Sequence, residues 1–262
     1  MTTSGRTPSR RPLDLIPGTE VEVVRYASPA GSAGTTVVWL PTNRLDTQLL
    51  SAEITATERQ RAAGYTRESD RLLSLGSAWL TRRLVGICLD VEPMDAPILR
   101  KCAQCDKPHG RSLVSMATKD GETVQVSATH SHGLVGVAVS TSDSVGLDVE
   151  NLQTRDPDAW STVWRVLGHP TVPESEDEHE AAHQAATAWV RTEAVLKATG
   201  HGLAVGRRSV DITTGSGPRV LRWPWGDPTD QVSLFDLHPR NRYVAALAVI
   251  HDVHSAFTTG IT

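Results

Sequence analysis

The 262-residue chain has few cysteines, no surplus of positive charge and no long apolar run. Its three cysteines, Cys88, Cys102 and Cys105, are too few for a disulfide framework, which favours a reducing, cytoplasmic setting. A formal net charge of -4 gives no general attraction to nucleic acid. Uninterrupted apolar stretches fall short of the roughly 18 residues that a membrane helix needs. Arginines near the start have no apolar stretch behind them, so residues 1–12 are predicted to form a flexible tail and not a secretory signal.

The remaining composition is that of a globular protein, with 39% hydrophobic and 21% charged residues. Helix formers predict helices over 55–89, divided near Gly64 or Gly76, and over 181–199, ended by Gly200. Segments 100–112 and 168–180 are predicted to be loops, and 151–188 is the least regular part of the chain. Strand-like runs lie at 21–24, 36–40, 124–129, 133–139, 145–150, 209–213, 231–236 and 243–249. Each half therefore combines strands with one long helix. This predicts an α/β (α+β) fold of two similar lobes with pseudo-two-fold symmetry, residues 13–140 and 141–262.

The motif VGLDVE, residues 145–150, places two carboxylates in an otherwise apolar strand. Residues i and i+2 of a strand share a face, so Asp148 and Glu150 point together while Leu147 and Val149 enter the core. Adjacent carboxylates repel one another unless a positive charge lies between them, and Mg²⁺ favours a few carboxylates together with phosphate oxygens. A solvated edge strand is the alternative, because this short pattern is common.

A second motif, AWVRTEAVLKATGHGL, covers residues 188–203. Trp189, Glu193 and Lys197 are spaced four apart, so they lie along one stripe of the predicted helix. The acid and the amine fit either a weak surface ion pair or a site with a third metal carboxylate and a phosphate-binding cation. The tryptophan on the same stripe argues against a simply solvated face.

Two shorter motifs lie upstream. ATHSH, residues 128–132, ends a predicted strand with hydroxyls and histidines that suit either a phosphate site or a solvated turn. CAQCDKPHG brings Cys102, Cys105 and His109 close together in a loop, which suggests zinc. A structural zinc site needs four ligands, and a second CxxC is missing. A redox CxxC fits less well, because the motif does not open a helix after a strand.

Taken in order, these motifs resemble the signature of the Sfp-type 4′-phosphopantetheinyl transferases. The family pattern is roughly (V/I)G(V/I)D(V/I)E, followed by WxxKEAxxKxxGxGL. CAQCDKPHGR is similar to the family's GKP loop in its actinobacterial form, and THS is similar to its SHS element. TERQRAAGYTRESDR looks like the family's basic helical segment. The resemblance spans residues 55–205.

The resemblance implies an enzyme that moves the 4′-phosphopantetheine arm of coenzyme A onto a serine of an apo acyl or peptidyl carrier protein. The by-product is adenosine 3′,5′-bisphosphate. The implied fold has two similar α/β lobes, with coenzyme A and Mg²⁺ in the cleft between them. The larger two-lobed type implies a monomer that serves polyketide or nonribosomal peptide synthesis. Replacement of Mg²⁺ by Mn²⁺ and the identity of the carrier stay open.

By motif position, Asp148, Glu150 and Glu193 are implied to hold Mg²⁺ against the pyrophosphate of the coenzyme. Glu193 is also implied to help deprotonate the carrier serine. Lys197 is implied to bind the phosphates and to offset charge on the leaving group. Further positions are implied to bind the coenzyme, through its phosphates or its adenine: Arg61, Arg71, Lys107, Pro108, Thr129 and His130.

The chain departs from the family pattern at Thr129, at Asp106 and at Thr192. Thr129 replaces a common serine and keeps the hydroxyl. Asp106 stands where glycine is usual and weakens the assignment of the adenine pocket. Thr192 replaces a lysine, whose phosphate contact is either lost or supplied by Arg191.

Two other functions use the same residues. A Mg²⁺-dependent phosphohydrolase would use the three carboxylates with water and need no carrier. A zinc-bearing interaction module would be centred on Cys102, Cys105 and His109. Arg207 and Arg208, just past the second motif, fit either a docking surface for an acidic carrier or a pair of solvated side chains.

Overall fold

A computed structural model describes residues 19–28, 31–45, 47–100, 110–154, 157–168, 177–201, 206–215 and 217–251. The described helices are α1 (Thr47–Ala52), α2 (Ala56–Ala63), α3 (Glu68–Leu89), α4 (Pro157–Val166) and α5 (Glu178–Ala198). The described strands are β1 (Glu20–Ser28), β2 (Gly31–Pro41), β3 (Ile98–Arg100), β4 (Ser112–Val114), β5 (Gln125–Ser131), β6 (Leu134–Ser140), β7 (Ser144–Asn151), β8 (Asp211–Ile212), β9 (Val220–Arg222), β10 (Val232–Leu237) and β11 (Tyr243–Ile250).

Two antiparallel sheets repeat one topology. The first has the order β1-β2-β6-β5 and the second the order β10-β11-β7. The two lobes have matching elements in the same chain order. Strand β2 corresponds to β7, helix α3 corresponds to α5, and the hairpin β5–β6 corresponds to the hairpin β10–β11. α3 packs on β5 and β6, whereas α5 packs on β7 and β11. The predicted α/β (α+β) fold with two similar lobes is confirmed, and β1 is an addition to the first lobe. The lobe boundary at residue 140 stays a prediction, and it falls in the turn between β6 and β7.

The fold stacks four layers in the order helix, sheet, sheet, helix. Apolar side chains fill the three interfaces between these layers. One cluster lies between α3 and the first sheet, and another lies between the second sheet and α4 and α5. The third joins the two sheets through residues such as Trp39, Leu147 and Leu247. Trp39 covers Gly136, where a Cβ would lie 2.3 Å from the ring. Burial of each such large side chain stabilises the fold by about 1.5–3 kcal/mol, so the inter-sheet layer holds the lobes together.

A buried polar network also links the two sheets. Tyr26 of β1 donates to Asp143, and Asp143 lies 3.2 Å from Nδ1 of His251 at the end of β11. Nε2 of His251 lies 2.9 Å from Oγ of Ser233. The order Ser–His–Asp is that of a hydrolase triad, but Ser233 stands inside the regular strand β10 and Asp143 also binds Tyr26. The network therefore has a structural explanation, because its hydrogen bonds satisfy polar groups between the sheets.

The first helical region divides where predicted at Gly64, whereas Gly76 lies inside α3 and does not interrupt it. α2 begins with a capping box, in which Thr55 accepts from the Glu58 amide and Glu58 accepts from the Thr55 amide. By length and composition α3 is long and apolar enough to cross a membrane, which corrects the expectation from the sequence. However, 72% of its most apolar window is buried, as in the core helix of a globular fold.

The helix α4 was not predicted. Its apolar residues Trp160, Val163 and Trp164, together with Leu167 just past its end, follow the spacing i, i+3, i+4, i+7 and are buried against α5. The short strands β3, β4 and β9 were also missed, because three residues are too few to show a period. α5 begins after Asp177, which caps the His179 amide, and ends before Gly200, which has a φ of +78°.

Candidate active site

The strand β7 carries the two carboxylates on the side away from the inter-sheet layer. Asp148 and Glu150 both line one cleft, whereas Leu147 and Val149 are buried between the sheets. The predicted alternation is therefore present in the structure. Asp148 is 7% exposed, so its charge needs compensation from neighbouring groups.

Close contact between α5 and β7 brings that compensation. A Cβ on Gly146 would lie 1.9 Å from the carbonyl oxygen of Ala194, so helix and strand meet backbone to backbone. The Lys197 ammonium then reaches Oδ1 of Asp148 at 2.6 Å and the carbonyl oxygen of Leu147 at 3.0 Å. The helix stripe predicted from the sequence therefore faces the strand carboxylates.

Glu193 lies one helical turn before Lys197 and lines the same cleft. Burial raises the pKa of Glu193, and the negative charge of Asp148 raises it further. Arg207 opposes this shift by donating from Nε to Oε1 of Glu193 at 2.8 Å. The Arg207 guanidinium also lies over the Trp189 ring, 4.5 Å from its centroid. The cleft thus holds two carboxylates near one another, each with a cation beside it.

Hydroxyl side chains of β5 face β7 across the seam between the sheets. We call Ser127, Thr129 and Ser131 the hydroxyl stripe. Thr129 donates to Oδ1 of Asp148 at 3.1 Å, and Ser131 donates to Oε2 of Glu150 at 3.2 Å. The hydroxyl oxygens of Ser127 and Ser131 accept from the amides of Leu147 and Asn151. The stripe thus fixes both carboxylates and binds β5 to β7 through side chains.

His130 lines the cleft and is exposed to solvent. Desolvation lowers the pKa of His130, and the positive charge of Lys197 lowers it further. The carboxylate of Asp70, at the start of α3, acts in the opposite direction. The imidazole is therefore biased towards its neutral form until an anion enters the cleft.

The cleft has a volume of about 280 Å³. It is lined by Ala128, Thr129, His130, Asp148, Val149, Glu150, Trp189, Glu193, Lys197 and Arg207. Carboxylates suit a hard divalent cation, and the amine, guanidinium and imidazole suit phosphate oxygens. The arrangement is therefore chemically suited to a phosphate compound bound together with a metal.

The donors that are present are of the type that Mg²⁺ binds, but they do not form a complete coordination shell by themselves. Within the described ranges, no group of three or more histidine, cysteine, aspartate or glutamate residues is placed to hold a metal ion. Mg²⁺ is usually held by one or two carboxylates, with water and substrate phosphates completing the shell. Asp148 and Glu193 would be such a pair, because both carboxylates line the cleft. Glu150 as a third ligand stays a prediction.

Other predicted site residues lie elsewhere. Arg61 is in α2 and Arg71 is an exposed residue of α3, and neither lines the cleft. Arg71 follows Asp70, which is near enough to act on His130, so the start of α3 approaches the open side of the cleft. The roles of both arginines stay predictions. The positions proposed for adenine and zinc, Lys107, Pro108, Cys102, Cys105 and His109, lie outside the described residues.

Arg191 does not take the place of the lysine that the resembled pattern has at position 192. Its guanidinium is buried and forms a bidentate pair with Asp236, with distances of 2.8 and 2.6 Å. It also donates to the carbonyl oxygens of Thr213 and Gly215. Thr192 is buried and donates to the carbonyl of Ala188. These contacts stabilise the second lobe and turn both side chains away from the cleft.

Arg207 is the cleft residue whose role the sequence did not indicate. From the sequence, Arg207 and Arg208 fit either a docking surface or a pair of solvated side chains. Arg208 instead donates to the carbonyl oxygens of Arg165 and Val166 at the end of α4. The only available signal for the hydroxyl stripe was the alternation S-x-T-x-S in β5, which places all three hydroxyls on one face.

The chain matches no family model and no curated protein. Among solved structures, it is similar to the crystal structure of Thermotoga maritima holo-[acyl-carrier-protein] synthase. The similarity covers 41% of this chain and 62% of that chain, with 20% sequence identity and a TM-score of 0.29. It therefore spans less than two thirds of that protein, and at this TM-score neither fold nor function is deduced from it.

Proposed function

We propose that this protein transfers the 4′-phosphopantetheine arm of coenzyme A to a serine of an apo acyl or peptidyl carrier protein. One observation carries the proposal: three motifs far apart in sequence supply side chains to one cleft. They are ATHSH on β5, VGLDVE on β7 and the tryptophan–glutamate–lysine stripe on α5. Their resemblance to one family and their convergence support the same activity.

Under this proposal Asp148 and Glu193 hold Mg²⁺, with Glu150 as the third carboxylate. The ion supplies charge stabilisation for the phosphoryl oxygens and helps to position the pyrophosphate. Asp148 is oriented by hydrogen bonds from Lys197 and Thr129, at 2.6 and 3.1 Å. A ligand held at a fixed orientation before the substrate arrives reduces the reorganisation that the reaction requires.

The cationic side chains act on the phosphates. Lys197 is anchored by the Leu147 carbonyl at 3.0 Å, so its ammonium stays in the cleft when phosphate oxygens compete with Asp148 for it. There it offsets negative charge on the leaving adenosine 3′,5′-bisphosphate. His130 accepts a proton as an anionic phosphate arrives and then donates a charge-assisted hydrogen bond to it.

Attack by the carrier serine requires removal of its hydroxyl proton. Under this proposal Glu193 accepts it, directly or through water, because its carboxylate lines the cleft one helical turn from Lys197. Much of the remaining rate enhancement comes from placing the serine in line with the phosphorus atom. The proposal includes action as a monomer in the cytoplasm, in polyketide or nonribosomal peptide synthesis.

Intact-mass spectrometry of an apo carrier protein tests the proposal. Incubation with this protein, coenzyme A and Mg²⁺ is expected to add the mass of one phosphopantetheine group, and chelation is expected to prevent it. Glu193→Gln is expected to abolish the gain, whereas Glu178→Gln, an exposed position on the same helix, is expected to keep it. A folded protein that binds no coenzyme A and modifies none of several carriers would reject the proposal. Release of inorganic phosphate from phosphate esters without a carrier would then favour the phosphohydrolase.

A further inference from the structure

Arg207 forms an ion pair with Glu193, a carboxylate that binds a metal ion in the proposed reaction. Its Nε donates to Oε1 of Glu193 at 2.8 Å, and its side chain is 27% exposed in the pair. The same guanidinium lies over the ring of Trp189. The pair is therefore neither a fully buried structural bridge nor a solvated surface contact.

The backbone around Arg207 is held from outside the cleft. Gly206 has a φ of +81°, and its carbonyl accepts from the amide and the hydroxyl of Ser209 at 3.2 and 2.6 Å. Arg208 binds the C-terminal carbonyls of α4. Because these contacts fix the short turn Arg207–Ser209 without Arg207 itself, the Arg207 side chain can change partners without unfolding the turn.

The balance of charges in the cleft indicates which group Arg207 binds when it leaves Glu193. Three carboxylates and two permanent cations line the cleft, so one negative charge is in excess while His130 is neutral. A divalent cation would reverse that sign. Arg207 and a metal ion would then compete for Glu193, and the excess positive charge would favour an anion.

We propose that Arg207 is a mobile phosphate-binding residue, which neutralises Glu193 in the free protein and moves to a phosphate oxygen of the substrate once a divalent cation binds Glu193. This inference rests on the proposed function for the use of the cleft by a metal and a phosphate compound. The guanidinium is suited to the exchange, because its planar donors match both carboxylate and phosphate oxygens. Trp189 supports the side chain in the cleft through the cation–π contact.

Two binding measurements on the full chain test it, using Mg²⁺ alone and inorganic pyrophosphate in the presence of Mg²⁺. In Arg207→Gln, calorimetry is expected to show Mg²⁺ binding about two- to fivefold tighter, because a partly exposed ion pair no longer competes. Pyrophosphate is expected to bind about tenfold weaker or more, because a charge-assisted hydrogen bond is lost. Arg207→Lys is expected to restore part of the pyrophosphate affinity.

Arg222→Gln is the matched control, since it removes the same charge from an exposed pair with Asp211 that does not line the cleft. Opposite changes in the two affinities of Arg207→Gln, with neither in the control, support the exchange. Weakening of both affinities would assign Arg207 a structural role and overturn the proposal, and so would two unchanged affinities. Thermal denaturation of each variant establishes that it is folded.

All seven tryptophans contribute to the emission, so the part of a Mg²⁺-induced change that Trp189→Phe removes reports on the movement. Mg²⁺ is expected to change the emission of the wild-type protein, and this change is expected to be absent in Trp189→Phe and in Arg207→Gln. An emission change that persists in Arg207→Gln would contradict the movement.

Failure of the transfer reaction and failure of the Arg207 exchange give different results. Opposite affinity changes in a protein that modifies no carrier would reject phosphopantetheine transfer and keep the exchange of Arg207. A protein that modifies its carrier but shows no opposite changes would keep the transfer reaction and reject the exchange.

Discussion

The carbonyl oxygen of Ala194 lies 1.9 Å from the point where a Cβ on Gly146 would stand. This contact between α5 and β7 sets the distance between Asp148 on the strand and Lys197 on the helix. An alanine at position 146 cannot be accommodated by moving a side chain, because the atoms that it meets belong to the helix backbone.

We therefore expect Gly146→Ala to lower the free energy of unfolding by about 3 kcal/mol or more, or to displace α5 and disrupt the site. Chemical denaturation and carrier modification measure the two effects. Gly215→Ala is the control, since a Cβ there meets nothing within 4 Å. A variant at position 146 with wild-type stability and activity would show that this contact does not determine the position of the helix.

Replacement of Asp148 by asparagine separates charge from shape. The variant keeps a side chain of similar size next to Lys197 and Thr129 but loses the negative charge. Carrier modification is expected to fall by at least about 100-fold, because a preorganised charge in the site is lost. The denaturation midpoint is expected to change little, since Lys197 is partly exposed and can be solvated. Asp120→Asn, in an exposed turn, is the control, and an active Asp148→Asn would remove Asp148 from the metal set.

His130 is expected to make phosphate binding dependent on pH. Desolvation and Lys197 lower its pKa, so the stability linked to its neutral form is fully present above its ordinary pKa of 6.5 and is lost as the pH falls through the lowered value. A bound phosphate acts in the opposite direction and favours the imidazolium. Pyrophosphate binding is therefore expected to take up a proton and to strengthen as the pH falls from 7.5 towards 6.

Calorimetry at one pH, in buffers of different ionisation enthalpy, measures this proton uptake. His130→Gln is expected to remove its pH-dependent part and keep the rest of the affinity. Equal proton uptake in the variant would assign the effect to the phosphate itself.

The pair of Glu58 and Arg82 is expected to control stability far from the cleft. Burial alone would raise the pKa of Glu58, but hydrogen bonds from Arg82 and from Thr55 outweigh it and hold the pKa below its ordinary value. Arg82 also donates to the carbonyl oxygens of Pro93, Met94 and Ala96. Among the residues that the structure describes, Glu58 is the carboxylate that balances its charge.

Glu58→Gln is expected to cost about 1–3 kcal/mol at neutral pH. Since a lowered acid pKa gives stability that is present above the ordinary pKa and lost below it, the difference from wild type is expected to shrink as the pH falls below 4.5. Denaturation midpoints at several pH values measure this. A difference that stays constant down to pH 3 would indicate a packing effect and not a charge effect.

Most of the site could be predicted because its residues lie in regular elements with clear periods. The alternation in VGLDVE placed Asp148 on one face of a strand, and the four-residue spacing placed Glu193 and Lys197 on one face of a helix. Both faces are found at the same cleft. Of the two glycines expected to divide the first helical region, Gly64 does so and Gly76 does not.

The features that were missed depend on contacts between distant segments. The short turn that holds Arg207 has no period, and its approach to Glu193 follows from the packing of α4, whose end binds Arg208. Helix α4 itself had a readable apolar period. It was missed because the proline- and acid-rich stretch that follows it suggested that the whole region was irregular.

The hydroxyl stripe has a mechanical consequence. Across this seam the amides of Leu147 and Asn151 bind the side chains of Ser127 and Ser131 and not backbone carbonyls. A hydroxyl oxygen swings on its χ1 torsion and can accept along either lone pair. β5 and β7 belong to separate sheets. Their contact at this seam therefore depends on the torsions of two serine side chains and not on a strand ladder, and a change in those torsions would be passed to the backbone on either side of Asp148.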